Sequence, residues 1–546
     1  MNNEKMAKLL FPNIDKTPDY YENLYPERNL PEGAKVTRLG PSPTGFIHLG
    51  NLFGAICDER LAHLSGGVFY LRIEDTDNKR EVPGAVEVVI NTLKYFGVEF
   101  DEGALKDGEK GDYGPYRQRE RAEIYQTFAK DLVLRGLAYP CFCTEEELTA
   151  MREKQTELKE NFGYYGKWAV HRNITFEEAE KNINEGKSFV LRFRAPEPSG
   201  KTFTIEDAIR GKLTMPQNEQ DVVLLKSDGI PTYHFAHVID DHLMKTTHVV
   251  RGEEWLATLP IHVQLFEAMG WTAPIYCHTA QLMKIDNGVK RKLSKRKDPE
   301  LSLDYYKSEG YLPGAVWEYM MTVLNSNFEE WRKENPEANV HEFEFTTKKM
   351  GISGSLFDID KLNDVSKNYL ATLDADTVYN YICEWAKECD EEYYKLLCED
   401  EEFSKGMIAI GRGGEKPRKD ISCWKQSKDF YSFFFDSLFK IEEEYPENVC
   451  EEDRKIILEK YLETYDHNDD QSTWFGKIRA IGEELGYAPQ PKLYKKNPEL
   501  YKGHVGDVSC VIRVAITGRT NSPDVWCIQQ VLGEKRTTER IKNAIK

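Results

Sequence analysis

No stretch of the 546-residue chain approaches the roughly 18–20 consecutive apolar residues of a membrane span. The first ten residues lack a long apolar core and a small-residue cleavage site, so no secretion signal is expected. Cysteine is sparse and odd in number, 11 in all, which argues against a disulfide framework and for reduced thiols in a cytoplasm. Positive charge is in deficit: 73 Lys and Arg against 92 Asp and Glu leave a formal net charge of −19. That excludes coating nucleic acid by bulk charge. RNA binding would have to use local basic surface and shape. No internal repeat or low-complexity tract is present. What the chain does have is 40% hydrophobic and 12% aromatic residues, enough for packed cores, and a length that predicts several domains.

One stretch organises the rest: Arg38-Leu39-Gly40-Pro41-Ser42-Pro43-Thr44-Gly45-Phe46-Ile47-His48-Leu49-Gly50-Asn51. Lys35 to Leu39 reads as a short strand. Beyond the turn, Phe53, Ile56, Arg60, Leu61 and Leu64 recur at helical spacing, and Ser65-Gly66-Gly67 stops the helix. A helix N-terminus at the end of a strand presents free N–H groups and a positive dipole end, which suits phosphate. Gly45 and Gly50 would let a ligand approach the backbone, and His48 can donate to a phosphate oxygen.

The pattern continues as strand and helix in alternation. Val68 to Ile73 is a buried-type strand running into Glu74-Asp75-Thr76-Asp77, where an open α/β sheet binds ligands. Glu74 is either placed there to receive an ammonium group or part of an exposed acidic turn. A helix follows, with Val86, Val89, Ile90, Leu93 and Phe96 on one face and Gly97 as its stop. This predicts an α/β fold with a doubly wound parallel sheet. Residues 117–221 break the alternation and read as an insertion; 222–275 return to the sheet pattern. His234, His237, Asp240, Asp241 and His242 are dense enough to raise a metal, but such residues at strand ends more often serve hydrogen-bond networks. Lys290 to Lys297 is a second marked segment, with six cations in eight residues. Taken alone it would be a solvated loop or an RNA patch. Residues 300–370 look helical with a hydrophilic excursion at 327–341, and from Ala371 onward the pattern is helical and amphipathic.

His48-Leu49-Gly50-Asn51 and Lys292-Leu293-Ser294-Lys295-Arg296 together resemble the two signature motifs of class I aminoacyl-tRNA synthetases. The flanking residues narrow the resemblance to the bacterial-type glutamyl branch. They are Arg38 to Gly45, Leu71 to Asp77, Val250-Arg251-Gly252-Glu253-Glu254-Trp255, and Arg513 to Arg519. Asn51 stands where many class I enzymes have a second His. The likeness runs from Lys35 nearly to the end and leaves residues 1–32 as an uncovered N-terminal extension, whose Tyr20, Tyr21, Leu24 and Tyr25 could pack on the body. It implies a Rossmann-type catalytic domain at 33–116 and 222–275, and a tRNA acceptor-binding insertion at 117–221. A stem-contact region with the catalytic loop would occupy 276–370, and an all-helical anticodon-binding half 371–546.

The resemblance also implies roles. His48, Lys292 and Lys295 would be catalytic. His48, Gly50, Asn51, Glu254, Trp255 and Lys295 would bind ATP, which brings Mg²⁺. Arg38, Ser42, Glu74, Tyr233 and Arg251 would bind L-glutamate, with Arg38 and Arg251 as planar forks for its side-chain carboxylate. The implied partner is tRNA(Glu), with tRNA(Gln) open, and the implied state is a cytoplasmic monomer. Members differ at position 237, so no ligand contact is assigned to His237. Some glutamyl enzymes hold zinc with a Cys-x-Cys pair and a later Cys/His pair. Cys141 and Cys143 match the first pair, but Trp168 stands where a third thiolate would be needed, leaving Tyr164 and His171 as the only further donors. No protein-bound zinc is expected. The alternatives are a glutaminyl-tRNA synthetase and a non-catalytic tRNA-binding paralogue. Glutaminyl relatives carry an uncharged residue at the position of Arg251, and intact His48, Lys292 and Lys295 argue against the paralogue.

Overall fold

The computed structural model describes residues 2–43, 47–77, 82–196 and 200–546; Thr44, Gly45 and Phe46 of the first motif lie outside the described residues. Two units result, Met1–Tyr305 with Trp317–Asp358, and Tyr306–Val316 with Ile359–Lys546.

In the first unit, helices α1 (Asn2–Leu10) and α2 (Pro18–Leu24) precede strand β1 (Val36–Leu39), helix α3 (Leu49–His63) and strand β2 (Val68–Leu71). All four residues of β1 are buried, and α3 is buried nearly all round, as a helix inside a layered domain must be. Helix α4 (Ala85–Tyr95) buries Ala85, Val89 and Leu93 and stops ahead of Gly97, whose φ of +76° only glycine adopts at low cost. Strands β3 (Glu102–Ala104) and β4 (Glu109–Lys110) and helix α5 (Ala122–Leu134) follow.

The excursion that begins at α5 contains β5 (Ala138–Cys141), α6 (Glu145–Glu157), α7 (Phe176–Asn184), β6 (Val190–Phe193), β7 (Thr202–Asp207), β8 (Gly211–Pro216) and β9 (Val223–Leu225). Strands β5, β6 and β9 form their own antiparallel sheet. The stretch at 222–225, which reads in the sequence as a return to the main sheet, therefore pairs inside the excursion. Conversely, the β7–β8 hairpin leaves the excursion and joins the edge of the main sheet. Next come α8 (Tyr233–Leu243), β10 (His248–Gly252), α9 (Leu259–Met269) and β11 (Ile275–Thr279). The His/Asp-rich run 234–242 is thus on a helix and not at strand ends.

Strands β1, β2 and β3 pair in parallel, as do β10 and β11. The N–H of Thr247, just ahead of β10, donates to Val36 O at 3.0 Å, which sets β10 beside β1. The spatial order is β3-β2-β1-β10-β11, with the chain winding away in both directions from the β1/β10 boundary. A doubly wound sheet opens its ligand crevice there, beyond the carboxyl ends of the strands. Three further strands, β12 (Leu282–Asp286), β13 (Val289–Lys292) and β14 (Ser355–Leu356), make a small sheet that carries the basic segment.

The N-terminal extension rests on this unit. α1 lies against α5 and α7, and α2 against α5. Tyr21 and Tyr25 are buried, whereas Tyr20 and Leu24 are exposed. The second unit is helical, with Ala375–Cys389, Glu451–Thr464, Gln471–Glu484, Val505–Thr517 and Val525–Ile545 among its longer helices. They close on one core that includes Ile382, Phe434, Ile478 and Ile512. Among the described residues no helix is long and apolar enough to cross a membrane.

Candidate active site

The carboxyl end of β1 delivers Arg38, and β2 continues into Arg72 and Glu74. β10 carries Arg251 as its next-to-last residue, and α8 begins with Tyr233. All converge on the β1/β10 boundary. Arg38 is buried, with its Nε 3.3 Å from Asp241 Oδ2. Arg72, wholly buried, donates from Nη1 to Asp241 Oδ1 at 2.5 Å and from Nη2 to Glu74 Oε1 at 3.2 Å. Burial opposes the charge of Asp241, but Arg72 and then Arg38 outweigh it and hold its carboxyl well below the usual range. Burial pushes the Glu74 carboxyl up, with Arg72 and Arg38 acting against the rise. Burial also raises the Tyr233 phenol, and the charges that act on it next are those of Glu74, Arg251 and Arg38. These four side chains therefore share one site. Tyr233 also packs against Trp255 in a tilted arrangement, with ring centroids 4.5 Å apart. Ser42 lies exposed in the turn after β1.

Three glycines make room for acidic or imidazole groups of the site. A Cβ on Gly40 would collide with the Glu74 carboxylate, and one on Gly252 with that of Glu254. A Cβ on Gly50 would meet the His48 ring at 3.0 Å. Gly50 thus serves the neighbouring side chain before any ligand. His48 is the N-cap of α3, and its backbone N–H donates to Asn51 Oδ1 at 3.1 Å. Asn51 in the fourth motif position is a capping residue here. Burial lowers the His48 pKa, and Lys295 lowers it further, so the ring is neutral at pH 7 and donates without adding charge.

The basic segment reaches the same place. His48 forms an antiparallel bridge with Ser302, a few residues past it. Asp298 anchors its base: Arg291 Nη1 and Nη2 meet that carboxylate at 2.6 and 2.8 Å, and Ser294 N donates to it at 2.8 Å. Arg291 is thereby a structural cation, while Lys292 and Lys295 extend exposed beside His48. Glu254 is exposed next to them.

Residues 35–364 match the family described as tRNA synthetases class I (E and Q), catalytic domain. The chain belongs to this family. Residues 501–545 match the model described as anticodon binding domain. Over its full length the chain is 60% identical to a glutamate–tRNA ligase of Acetivibrio thermocellus, covering all of both proteins. It is 50% identical to one of Clostridium perfringens strain 13, covering 99% of this chain and 100% of that protein. A crystal structure of a glutamate tRNA ligase from Elizabethkingia meningosepticum in complex with its amino acid superposes with a TM-score of 0.73 at 29% identity, over 94% of this chain and 99% of that one. The fold is accordingly a class I synthetase catalytic domain followed by a helical region with an anticodon domain.

In this class I synthetase the run 234–242 supplies a hydrogen-bond network. Asp240 accepts from Arg121 at 2.7 Å, Tyr125 at 2.8 Å and Gln118 at 2.9 Å. His237 is fully buried, with Nδ1 2.8 Å from Asp241 and Nε2 3.1 Å from the Tyr276 hydroxyl. Reading the sequence misses Arg72, Asp207, His262 and His278 as site-supporting residues. Of the supporting groups, only Asp241 falls in the dense His/Asp run.

The Cys141 region gathers the donors that a zinc site would need. Cys141, Cys143 and His171 bring their ligand atoms within 4.8 Å of one another. Tyr164 Oη adds a fourth donor, 3.4 Å from Cys141 Sγ and 3.6 Å from Cys143 Sγ. Thiolates about 2.3 Å from a tetrahedral zinc stand roughly 3.8 Å apart, so these spacings fit. The donor chemistry fits less well. Burial raises the Tyr164 phenol far above its ordinary range, and Arg192 stacks on its ring at 3.9 Å. The site offers three strong ligands and one weak one.

Proposed function

We propose that this chain is a glutamate–tRNA ligase: it joins L-glutamate to ATP and passes the glutamyl group to the terminal ribose of tRNA(Glu). The observation that carries this is Arg251, a buried guanidinium at the strand-end crevice that meets no carboxylate among the described residues. A buried cation without a counter-ion is costly when its pocket is empty and favourable when a carboxylate enters. Arg251 receives the glutamate side chain, with Arg38 and the Tyr233 hydroxyl beside it. Glu74 takes the α-ammonium, and Ser42 orients the amino acid at the turn. A neutral glutamine amide gains little from such a cation.

In the first step an α-carboxylate oxygen of glutamate attacks the α-phosphorus of ATP, the bond to the bridging oxygen breaks, and diphosphate leaves. In the second a ribose hydroxyl attacks the adenylate carbonyl and AMP leaves, with the hydroxyl proton released. Positioning and charge stabilisation supply the catalysis. The neutral His48 ring and the α3 N-terminus with Gly50 and Asn51 face the phosphates. Lys292 and Lys295 neutralise charge that develops on the diphosphate, and Glu254 and Trp255 bound the nucleotide. Mg²⁺ travelling with ATP supplies further phosphate neutralisation and is held mainly by phosphate and water. The 117–221 excursion grips the acceptor end, and the helical half reads the anticodon. Eleven free cysteines suit a reducing cytoplasm, and the working unit is a monomer.

The test is ATP-dependent charging of a tRNA pool with labelled glutamate or glutamine. Glutamate alone should be incorporated. Incorporation of glutamine alone would favour a glutaminyl enzyme, and no charging at all a tRNA-binding paralogue.

A further inference from the structure

Arg251 and His278 face each other in the β10–β11 register. Arg251 Nε donates to His278 Nε2 at 2.9 Å. On its far side His278 Nδ1 lies 2.6 Å from Asp207 Oδ2. Burial alone would raise the Asp207 carboxyl, but His278 and the backbone N–H groups of Arg210 and Ile209 hold it below the usual range. As an ionised acceptor it fixes the proton of His278 on Nδ1. The lone pair on Nε2 is then directed at Arg251.

The second contact has the same character. Arg251 Nη1 stands 2.9 Å from His262 Nδ1, and His262 Nε2 stands 2.9 Å from His234 Nδ1. Arg251 has only protons to give, so His262 accepts on Nδ1, carries its proton on Nε2 and donates to His234. Burial drives His262 and His278 below their ordinary pKa, and burial then Arg251 drives His234 to about 4, so all three rings are neutral. The face of Tyr276 lies 4.7 Å from the guanidinium. Nη2 is buried and has no hydrogen-bond partner among the described residues.

The two other buried guanidiniums at this crevice, Arg38 and Arg72, each have a counter-ion: both meet Asp241. Arg251 is held as firmly, through two nitrogens, but only by neutral acceptors. We propose that His278 and His262 are positioning residues for substrate selection, orienting the Arg251 guanidinium while leaving its charge uncompensated for an incoming side-chain carboxylate. Asp207, delivered by the β7–β8 hairpin, acts one bond further out by fixing the His278 tautomer. The inference rests on the proposed reading of Arg251 as the glutamate receptor.

The test uses the full chain with tRNA and compares three substitutions. His278→Phe removes the acceptor and keeps the bulk, His278→Gln restores a neutral acceptor, and His278→Glu restores an acceptor that cancels the charge. Loss of one charge-assisted hydrogen bond should raise KM for glutamate about tenfold or more in His278→Phe, with KM for ATP and tRNA within about twofold. His278→Gln should recover most of that loss, and His278→Glu should not. The inference is overturned if His278→Glu binds glutamate as well as His278→Gln, or if KM for ATP rises in parallel with KM for glutamate. Should His278→Phe fail to fold, the Gln and Glu variants decide by themselves. Failure of the wild-type chain to charge glutamate would instead overturn the functional reading.

Discussion

Arg251 and Arg38 stand at the ends of adjacent strands, and only Arg38 has a carboxylate on it, Asp241 at 3.3 Å. Two guanidiniums at one crevice with one internal counter-ion leave a positive charge for a ligand. The remaining hydrogen-bonding capacity of Arg251 points the same way, because Nη2 is buried without a partner among the described residues.

Arg251→Cys should therefore lower kcat/KM for glutamate by several orders of magnitude, since a buried carboxylate would lose a charge-assisted pair. Glutamine should suffer far less, so the preference ratio narrows. Efficient glutamine use is not expected, because Arg38 and Glu74 remain. Charging assays with each amino acid measure this; an equal loss for both would move Arg251 to a structural or ATP-positioning role.

Lys295 acts electrostatically on His48 across the mouth of the site. Lys295→Ala should slow glutamyl-adenylate formation by ~10²-fold or more with little change in tRNA affinity. Diphosphate exchange with tRNA present reports the first quantity and equilibrium RNA binding the second. Weaker tRNA binding with intact chemistry would make the segment a nucleic-acid patch.

His63 lies between Asp101 at 3.0 Å and Glu59 at 2.7 Å. The Asp101 contact first, then Glu59, raises its pKa from 6.5 to about 9. A folded-state pKa above the unfolded one stabilises fully below about pH 6.5 and loses that contribution as pH rises through 9. The thermal midpoint of wild type should fall toward that of His63→Gln between those two values. A midpoint difference that stays constant across the range would show that His63 is not charged in the native state.

The cluster of Cys141, Cys143, Tyr164 and His171 should hold less than one zinc per chain after purification, and chelator should remove it without loss of glutamate activation. A weak phenol ligand is the reason. Elemental analysis that finds one tightly held zinc per chain, lost in Cys141→Ser, would falsify this and make Tyr164 a full ligand.

The N-terminal extension braces helix α8. Arg28 grips Glu102 through two bonds of 2.8 and 3.0 Å, lies 3.8 Å from the Tyr113 ring, and donates to Met244 O at the end of α8 at 3.1 Å. Breaking a buried pair of this kind costs about 3 kcal/mol or more. Arg28→Ala should lower the chemical-denaturation midpoint accordingly. An unchanged midpoint would mean that the extension merely lies on the surface.

The sequence by itself determined the local elements and the family. Periodicity and glycine stops placed α3 and α4, because a helix face and its termination depend on nearby residues. His48, Lys292 and Lys295 announced themselves as reactive types in signature spacing. What only tertiary structure decided is who faces whom across strands. Asp207 in the β7–β8 hairpin stands 71 residues from His278 along the chain, yet sets its tautomer. The strand at 223–225 reads as a member of the main sheet and pairs elsewhere. Strand pairing is a non-local choice made by burial and register, and the state of a guanidinium depends on which acceptors that choice brings to it. Arg38 and Arg251 are the same residue type at equivalent strand ends. Packing against Asp241 gave one a counter-ion, and packing against two neutral histidines left the other with none among the described residues.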